Sequence, residues 1–247
     1  MSWSGGKDSA MALQELLRNR AHEVVSLLTT VSEVFRRISH HGVRESLLDE
    51  QAKVIGIPLR KVYLPSGSAG GCTNEVYESI MKEVMLDYHR AGVRTVAFGD
   101  LFLQDLRAWR EANLARADMH AIFPVWNRET AGFARDVLAL GYKAFLSCVD
   151  AHLGAGFAGR EYDEELLRDL PSEVDPCGEN GEFHTFVYDG PIFHRPVFVR
   201  VDEIVERDGR YYADLASRKP KERSCIKESQ KQGETLPSSR EIRALPS

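Results

Sequence analysis

The feature that most constrains this chain is a short polar loop at its start that leads directly into a helical pattern. The loop reads Ser4-Gly5-Gly6-Lys7-Asp8-Ser9, and Ala10, Leu13 and Leu17 then recur at the spacing of one helical face. Glycines without Cβ let a backbone curl around a ligand, while the helix dipole and the lysine ammonium add positive potential at the same point. The sequence therefore predicts a binding site for a polyanion such as a phosphate chain.

A plain helix N-terminus is the alternative, because Ser4, Asp8 and Ser9 are all common capping residues. Capping requires one such residue and gives no reason for paired glycines beside a lysine. The Walker-type loop needs a glycine, four residues and then Gly-Lys-Ser/Thr, and that spacing is absent here. Phosphate binding by a loop of another class is therefore favoured.

Composition excludes several other classes of protein. The chain has 247 residues, of which 43% are hydrophobic, and a formal net charge of −5, so it lacks the general basic surface of nucleic-acid-binding proteins. No apolar run is as long as a membrane span, and residues 1–20 do not resemble a signal peptide. The four cysteines form no C-x-x-C pair, so we expect thiols in a reducing cytoplasm rather than a zinc site or disulfides.

Apolar runs alternate with helical patterns through the first half of the chain, which predicts a parallel sheet covered by helices. Strands are predicted at 24–30, 59–64 and 93–98. Thr29 and Thr30 end the first of these, and Asp100 follows the third, at the sheet edge where ligands bind in such folds. Two threonines that merely end a strand, and an aspartate that merely caps the helix beginning near Gln104, are equally compatible with the pattern.

That helix carries Arg107, Arg110 and Glu111 at the i, i+3, i+4 spacing of one face. Such spacing is typical of a surface ion-pair lattice. It would also suit a charged face directed at the ligand edge of the sheet. The sequence leaves both interpretations open.

A second polar segment, residues 175–187, precedes alternating apolar residues. It contains a run of groups able to bind a cation or orient an amine: Glu179, Asn180, Gly181, Glu182, His184 and Thr185. Asn180-Gly181 alone indicates a type I′ hairpin turn, which is the structural alternative. That alternative leaves the flanking carboxylates and the histidine unexplained.

The remaining pattern predicts a smaller second domain. Helices are expected at 128–140 and 162–170, a strand at 143–149, and an antiparallel hairpin that turns at Asp208-Gly209. From about Ser217 the sequence has almost no apolar residues, which is typical of disorder. We therefore divide the chain into a nucleotide-binding domain at 1–119, a substrate domain at 120–216 and a disordered tail at 217–247.

The opening hexapeptide resembles the PP-loop of the ATP pyrophosphatases, which cleave ATP between the α and β phosphates. Together with Gly99-Asp100, the Arg107-x-x-Arg110-Glu111 segment and Gly-Glu-Asn-Gly-Glu-Phe-His-Thr-Phe at 178–186, it resembles the diphthine–ammonia ligase family from Ser4 to about Asp189. Asn180 stands where many members have glycine. The family's loop follows a buried first strand, so we expect residues 1–3 to form a very short strand or the chain to have lost residues before it.

The resemblance implies an α/β fold with a HUP-type parallel sheet, followed by a smaller α+β domain. It implies that ATP and Mg²⁺ are used to adenylate an acceptor carboxylate, and that ammonia or an amine then displaces AMP. The implied nucleotide-binding residues are Ser4, Gly5, Gly6, Lys7, Asp8, Ser9, Thr29 and Thr30. Lys7, Asp8 and Asp100 are the implied catalytic residues, and Asp100 is also the candidate Mg²⁺ ligand. The implied substrate-binding residues are Arg107, Arg110, Glu111, Glu179, Asn180, Gly181, Glu182, His184 and Thr185.

The expected partners are ATP and an unidentified carboxylate acceptor, either free or borne on a protein. No membrane or nucleic acid is expected, and a homo-oligomer is left open. Two other functions are compatible with the sequence: an ATP-binding regulator without turnover, and a PP-loop enzyme acting on tRNA. The latter usually carries cysteine pairs or an added basic domain, and the sequence has neither.

Overall fold

The computed structural model describes residues 1–38, 41–65 and 72–218. Its α-helices are α1 (Lys7–Asn19), α2 (Glu45–Ile55), α3 (Asn74–Arg90), α4 (Gln104–Ala115), α5 (Thr130–Ala139) and α6 (Glu164–Asp169). Its strands are β1 (Leu27–Ser32), β2 (Leu59–Leu64), β3 (Thr95–Ala97), β4 (His120–Ile122), β5 (Lys143–Asp150), β6 (Phe183–Asp189), β7 (Val199–Arg207) and β8 (Arg210–Ser217). The predicted tail lies outside the described residues from 219 onward. None of the described helices is both long and apolar enough to cross a membrane.

The first three residues join two pairs of parallel strands into one sheet. β1 pairs with β2 and β3 pairs with β4, both in parallel. Between the pairs, the Leu28 N–H donates to the Met1 carbonyl and the Ser2 N–H donates to the Ala97 carbonyl, each at 2.9 Å. Residues 1–3 thus act as the expected very short strand, which places the polar loop at the centre of the sheet. The predicted α/β architecture is confirmed.

Helix α1 is buried along most of its length, in a core that also contains Leu27 of β1 and Phe186 and Val187 of β6. Ala10 and Leu13 are fully buried, as the periodicity predicts, whereas Leu17 is 44% exposed. Residues 17–20, at the C-terminal end of α1, are all exposed, so burial of the face shared by Ala10, Leu13 and Leu17 stops before Leu17. Leu16 is buried in its place.

The second half of the chain forms a four-stranded antiparallel sheet in the order β6-β5-β8-β7. Asp208 and Gly209 make the turn between β7 and β8, which confirms the predicted hairpin. Phe193 and Val197 are buried but precede β7 rather than belonging to it. In the sheet order β6 is an outer strand, and the side turned away from β5 meets the polar loop of the first domain.

A buried carboxylate ties the segment between β1 and α2 to the second sheet. Asp214 in β8 accepts hydrogen bonds from Arg37 Nη2 at 2.8 Å, Arg44 Nε at 3.0 Å and Arg44 Nη2 at 2.5 Å. Gly42 lies in the same segment with φ of +67°, and a Cβ there would come within 2.4 Å of the Tyr212 ring. This cluster, Arg37–Arg44–Asp214, is named the ionic clasp below.

The ionic clasp predicts a defined loss of stability at low pH. The hydrogen bonds from Arg44 and Arg37 lower the pKa of Asp214 to about 2. A lowered pKa adds stability above the unfolded value near 3.8, and that stability is lost as pH falls toward 2. Asp214→Asn should therefore lower the free energy of unfolding by about 2 kcal/mol at pH 7, with the deficit shrinking below pH 4.

Denaturant titrations from pH 2.5 to 8 measure this difference. Asp169→Asn is the matched control, because its ion pair with Arg160 is about half exposed and should contribute less than about 1 kcal/mol. A deficit for Asp214→Asn no larger than the control's would contradict a stabilising clasp.

Candidate active site

The polar loop is held in place by the outer strand of the second sheet. The Lys7 N–H donates to Thr185 Oγ1 at 3.1 Å, and the Val187 N–H donates to the Gly5 carbonyl at 2.9 Å. The buried amide of Gln51 donates to the carbonyls of both Gly5 and Val187, at 3.0 and 2.6 Å. Loop, α2 and β6 therefore share one hydrogen-bond network, which fixes the loop's shape.

Packing around the loop explains its glycines. Gly5 has φ of +79°, and a Cβ there would lie 2.6 Å from Leu48 Cδ2. A Cβ on Gly6 would lie 3.0 Å from the Thr185 carbonyl, and one on Gly99 would lie 2.7–2.8 Å from the backbone of Asp8 and Ser9. The loop is thus enclosed by α2, β6 and the end of β3, and side chains at these positions would displace it.

The Lys7 side chain turns away from the loop and into the second domain. It is 2% exposed, and its ammonium lies 2.9 Å from Asp8 and donates to the Cys177 carbonyl. The rings of Tyr162 and Phe183 lie 5.7 and 5.5 Å from the nitrogen. Burial acts to lower the pKa of Lys7, but attraction to Asp8 and its neighbours outweighs burial and raises it. Lys7 is therefore a buried cation shared by both domains.

Both polar segments of the sequence border one cavity of about 1200 Å³. Of the residues proposed from sequence, those lining it are Ser4, Asp8, Ser9, Thr29, Thr30, Asp100, Arg110, Glu179, Gly181, His184 and Thr185. The two segments are far apart in the chain, and β6 brings them together by crossing the loop. The cavity combines hydroxyls, carboxylates and a guanidinium, which suits a substrate with a phosphate chain and a second polar reactant.

The structure separates the three charged residues of α4. Arg110 pairs with Asp100 through Nε at 2.7 Å and Nη2 at 3.0 Å, at the cavity. Arg107 instead pairs with the exposed Glu111 at 2.8 Å and lies over the Trp126 ring. Arg110 therefore lies at the ligand edge of the sheet, as one of the two interpretations predicted, while Arg107 and Glu111 form a surface ion pair, as the other predicted. The helix-cap alternative for Asp100 is wrong, because the N-cap residue of α4 is Leu103.

The Glu179 carboxylate faces this cavity from the second domain. Its Oε2 accepts from the Leu101 N–H at 3.4 Å, next to Asp100. Burial, and then the negative charge of Asp8, raise the pKa of Glu179 to about 7. The side chain is therefore poised to change charge near neutral pH.

Glu182 and Asn180 brace the loop that presents Glu179. The Glu182 carboxylate accepts from the Asp175 N–H and from both the N–H and the side-chain amide of Asn180, all at 3.0 Å. The Gly181 carbonyl accepts from Arg210 at 3.1 Å. The hairpin alternative is wrong, because this loop connects α6 to β6 and β6 pairs with β5.

Several cavity residues were not proposed from the sequence, among them Phe35, Trp109, Tyr212 and Asp214, and the cavity is also lined by Arg37 and His41. The ring of His41 lies 4.4 Å from that of His184. Asp214 could have been predicted from the sequence, because a lone carboxylate between Ala213 and Leu215 in an apolar strand needs a cationic partner. Phe35 lies in the irregular segment after β1, Trp109 on the partly polar α4 and Tyr212 in β8, and none of them gave a comparable signal.

The described residues contain no cluster of three or more His, Cys, Asp or Glu arranged to hold a metal ion. Mg²⁺ that accompanies a nucleotide needs fewer protein ligands, because phosphates and water supply most of its ligands and one or two carboxylates suffice. Asp100 at the cavity meets that smaller requirement, and its oxygens contact Arg110. The residues therefore fit Mg²⁺ brought by a nucleotide rather than a resident metal ion.

The buried lysine predicts a large loss of stability on neutral substitution. Lys7→Met keeps the volume of the stem but leaves Asp8 without its cation. Breaking a buried pair in this way costs about 3 kcal/mol or more, which chemical denaturation would measure. Lys7→Met/Asp8→Asn is the matched control and should recover part of the loss; a double variant no more stable than Lys7→Met would contradict the pairing.

The raised pKa of Glu179 predicts that stability depends on pH in the sense opposite to that of the ionic clasp. A raised pKa means that the folded state binds more protons than the unfolded state between pH 4.5 and 7, so the buried charge reduces stability as pH rises through that window. Glu179→Gln should gain on the order of 2–3 kcal/mol over the native chain between pH 4.5 and 8. Unfolding free energies across that range measure the gain, and a difference that stays constant with pH would contradict the assignment.

Comparison with known proteins identifies the family of this chain. The diphthamide synthase N-terminal domain matches residues 1–119, and the diphthamide synthase C-terminal domain matches residues 129–216. Diphthine–ammonia ligase of Danio rerio is 26% identical over 82% of this chain and 86% of its own length. The Mus musculus and Homo sapiens ligases are 25% and 23% identical, over 86% of both chains in each case. The two domain matches together span most of the chain, and it therefore belongs to the diphthamide synthase, or diphthine–ammonia ligase, family.

Proposed function

We propose that this protein is an ATP-dependent, AMP-forming ligase that joins ammonia to an acceptor carboxylate of the diphthine type. The observation that carries this is the single cavity bordered by the phosphate loop and by the Glu179–Thr185 segment. A ligase must hold ATP beside its acceptor, and the docking of β6 on the loop supports that arrangement. The named activity of the relatives supports the choice of ammonia and diphthine.

The nucleotide end of the cavity is the edge formed by the loop and β1. The Ser4 and Ser9 hydroxyls lie 3.2 Å apart, and the first turn of α1 presents N–H groups without intrahelical partners. Thr29 and Thr30 add hydroxyls from the middle of β1, which runs on to Ser32 rather than ending at Thr30 as the sequence predicted. In this proposal the phosphates bind here, and Lys7 reaches the β and γ phosphates by turning its ammonium out of the second domain.

The reaction proceeds in two displacements. An oxygen of the acceptor carboxylate attacks the α-phosphorus of ATP, and the bond to the β-phosphate bridging oxygen breaks to release pyrophosphate. Ammonia then attacks the acyl carbon, the bond to the AMP oxygen breaks, and the nitrogen loses a proton to give the amide. Lys7 and the loop N–H groups stabilise the charge that grows on pyrophosphate. Mg²⁺, held by Asp100 and the phosphates, would supply further charge neutralisation there.

The other residues position the reactants. Asp8 orients Lys7, and Arg110 holds Asp100 at the cavity. Glu179 and His184 face the acceptor end, and Thr185 braces the loop between the two ends. Asn180, Gly181 and Glu182 fix the loop that carries Glu179, while Arg107 and Glu111 support α4 from its outer side. The domain boundaries, a cytoplasmic location and a homo-oligomer stay predictions.

The two alternative functions are less well supported. A regulator that only binds ATP has no need for a buried, proton-exchanging Glu179 beside the phosphate loop. A tRNA-modifying enzyme would need a basic surface, and the chain has a formal net charge of −5.

Product analysis tests the proposal. With ATP labelled at the α or γ phosphate, diphthine as acceptor and ammonium chloride, the products should be AMP and pyrophosphate. Asp8→Asn should lower the rate at least a hundredfold, because both the Lys7 position and the charge balance of the loop change. Glu83→Gln on α3 is the control and should retain the native rate. Formation of ADP and phosphate alone would contradict adenylation.

A further inference from the structure

The Lys7 ammonium lies in a chamber whose chemistry is that of a cation site. Four residues form its walls and are named the ammonium cage: the Asp8 carboxylate, the Cys177 carbonyl and the Tyr162 and Phe183 rings. A carboxylate and a carbonyl accept hydrogen bonds from an ammonium, and aromatic faces attract its charge. A cation surrounded in this way is stabilised although it is removed from water.

Two of the four cage walls are held by contacts that do not involve the lysine. The Tyr162 hydroxyl donates to the Pro176 carbonyl at 2.7 Å, which fixes one ring. The Cys177 N–H donates to Asp175 at 2.8 Å and its thiol donates to the Thr130 carbonyl at 3.3 Å, which fix the carbonyl between them. These two walls therefore have supports that do not depend on Lys7.

The cage opens on the same cavity as the phosphate loop. Asp8, Cys177 and Phe183 each belong to the cage and also line the cavity. Lys7 is the first residue of α1, and its four-carbon stem lets the ammonium turn about that fixed point. Departure of Lys7 toward a phosphate chain would leave the half-buried Asp8 carboxylate without its cation, which favours entry of another.

We propose that the cage is the binding site for the ammonium substrate, which enters after the phosphates of ATP draw Lys7 away. Naming ammonium as a substrate rests on the proposed function, whereas the cation site itself rests on the cage. The exchange makes ammonium binding depend on ATP, because one ammonium group must leave before the other enters. It also places the nitrogen donor beside Glu179 and the acceptor end of the cavity.

Lys7→Ala tests the cage directly, because it removes the stem and ammonium together. The temperature midpoint of unfolding of this variant should be higher in ammonium chloride than in sodium or potassium chloride of equal concentration. The rise should saturate with concentration and reach about 3–5 °C at ten times the dissociation constant for ammonium. Lys7→Met is the matched control: it removes the same charge but fills the cage, so its midpoint should not distinguish the salts. The native protein without nucleotide should not distinguish them either.

A second measurement serves if Lys7→Ala does not fold. The affinity of the native protein for α,β-methylene ATP should be severalfold higher in ammonium chloride than in sodium or potassium chloride, because two ligands that favour one state favour each other. Equal effects of the three cations in the measurement used would overturn the cage as an ammonium site. Neither measurement requires turnover. If the protein forms only ADP but shows the ammonium effect, the proposed function is contradicted and the cage is not. If it forms AMP but shows no ammonium effect, the cage is contradicted and the proposed function is not.

Discussion

The structure depends most on the contact between β6 and the phosphate loop. Two direct hydrogen bonds, from the Lys7 N–H to Thr185 and from the Val187 N–H to Gly5, hold the loop against a strand of the other domain, and Gln51 of α2 bridges Gly5 and Val187. A glycine-rich loop has many conformations in the unfolded chain, and ordering it costs entropy that these bonds offset. The contact also carries the Glu179–Thr185 segment to the loop, so one interaction shapes the loop and completes the cavity.

Charge balance is the second constraint on the site. Three carboxylates, Asp8, Asp100 and Glu179, meet at the cavity, and Lys7 and Arg110 pair with the first two. Glu179 has a backbone N–H donor and is the carboxylate whose pKa burial raises to about 7. A triphosphate entering this cavity would compete with Asp8 and Asp100 for their cations. Binding of the nucleotide and rearrangement of these pairs are therefore expected to be linked.

Much of the fold was predictable from the sequence, because it depends on local patterns. The strand–helix rhythm, the loop at the start of α1 and the β7–β8 hairpin all appear, although β1 runs over Leu27–Ser32 rather than the predicted 24–30. The position of Lys7 was not predictable, since its partners Cys177, Tyr162 and Phe183 come from distant segments that only tertiary packing brings together. The split between Arg110 and Arg107 also depends on packing, because helical spacing alone gives both the same face.

The central claim is that β6 shapes the phosphate loop, and Thr185→Val tests it most directly. The substitution keeps the size of the side chain and removes the acceptor of the Lys7 N–H. Calorimetric titration with a non-hydrolysable ATP analogue should show about a tenfold loss of affinity, about 1.4 kcal/mol. An affinity equal to that of the native protein would show that the loop binds its ligand without the Thr185 hydrogen bond from β6 and would contradict the account.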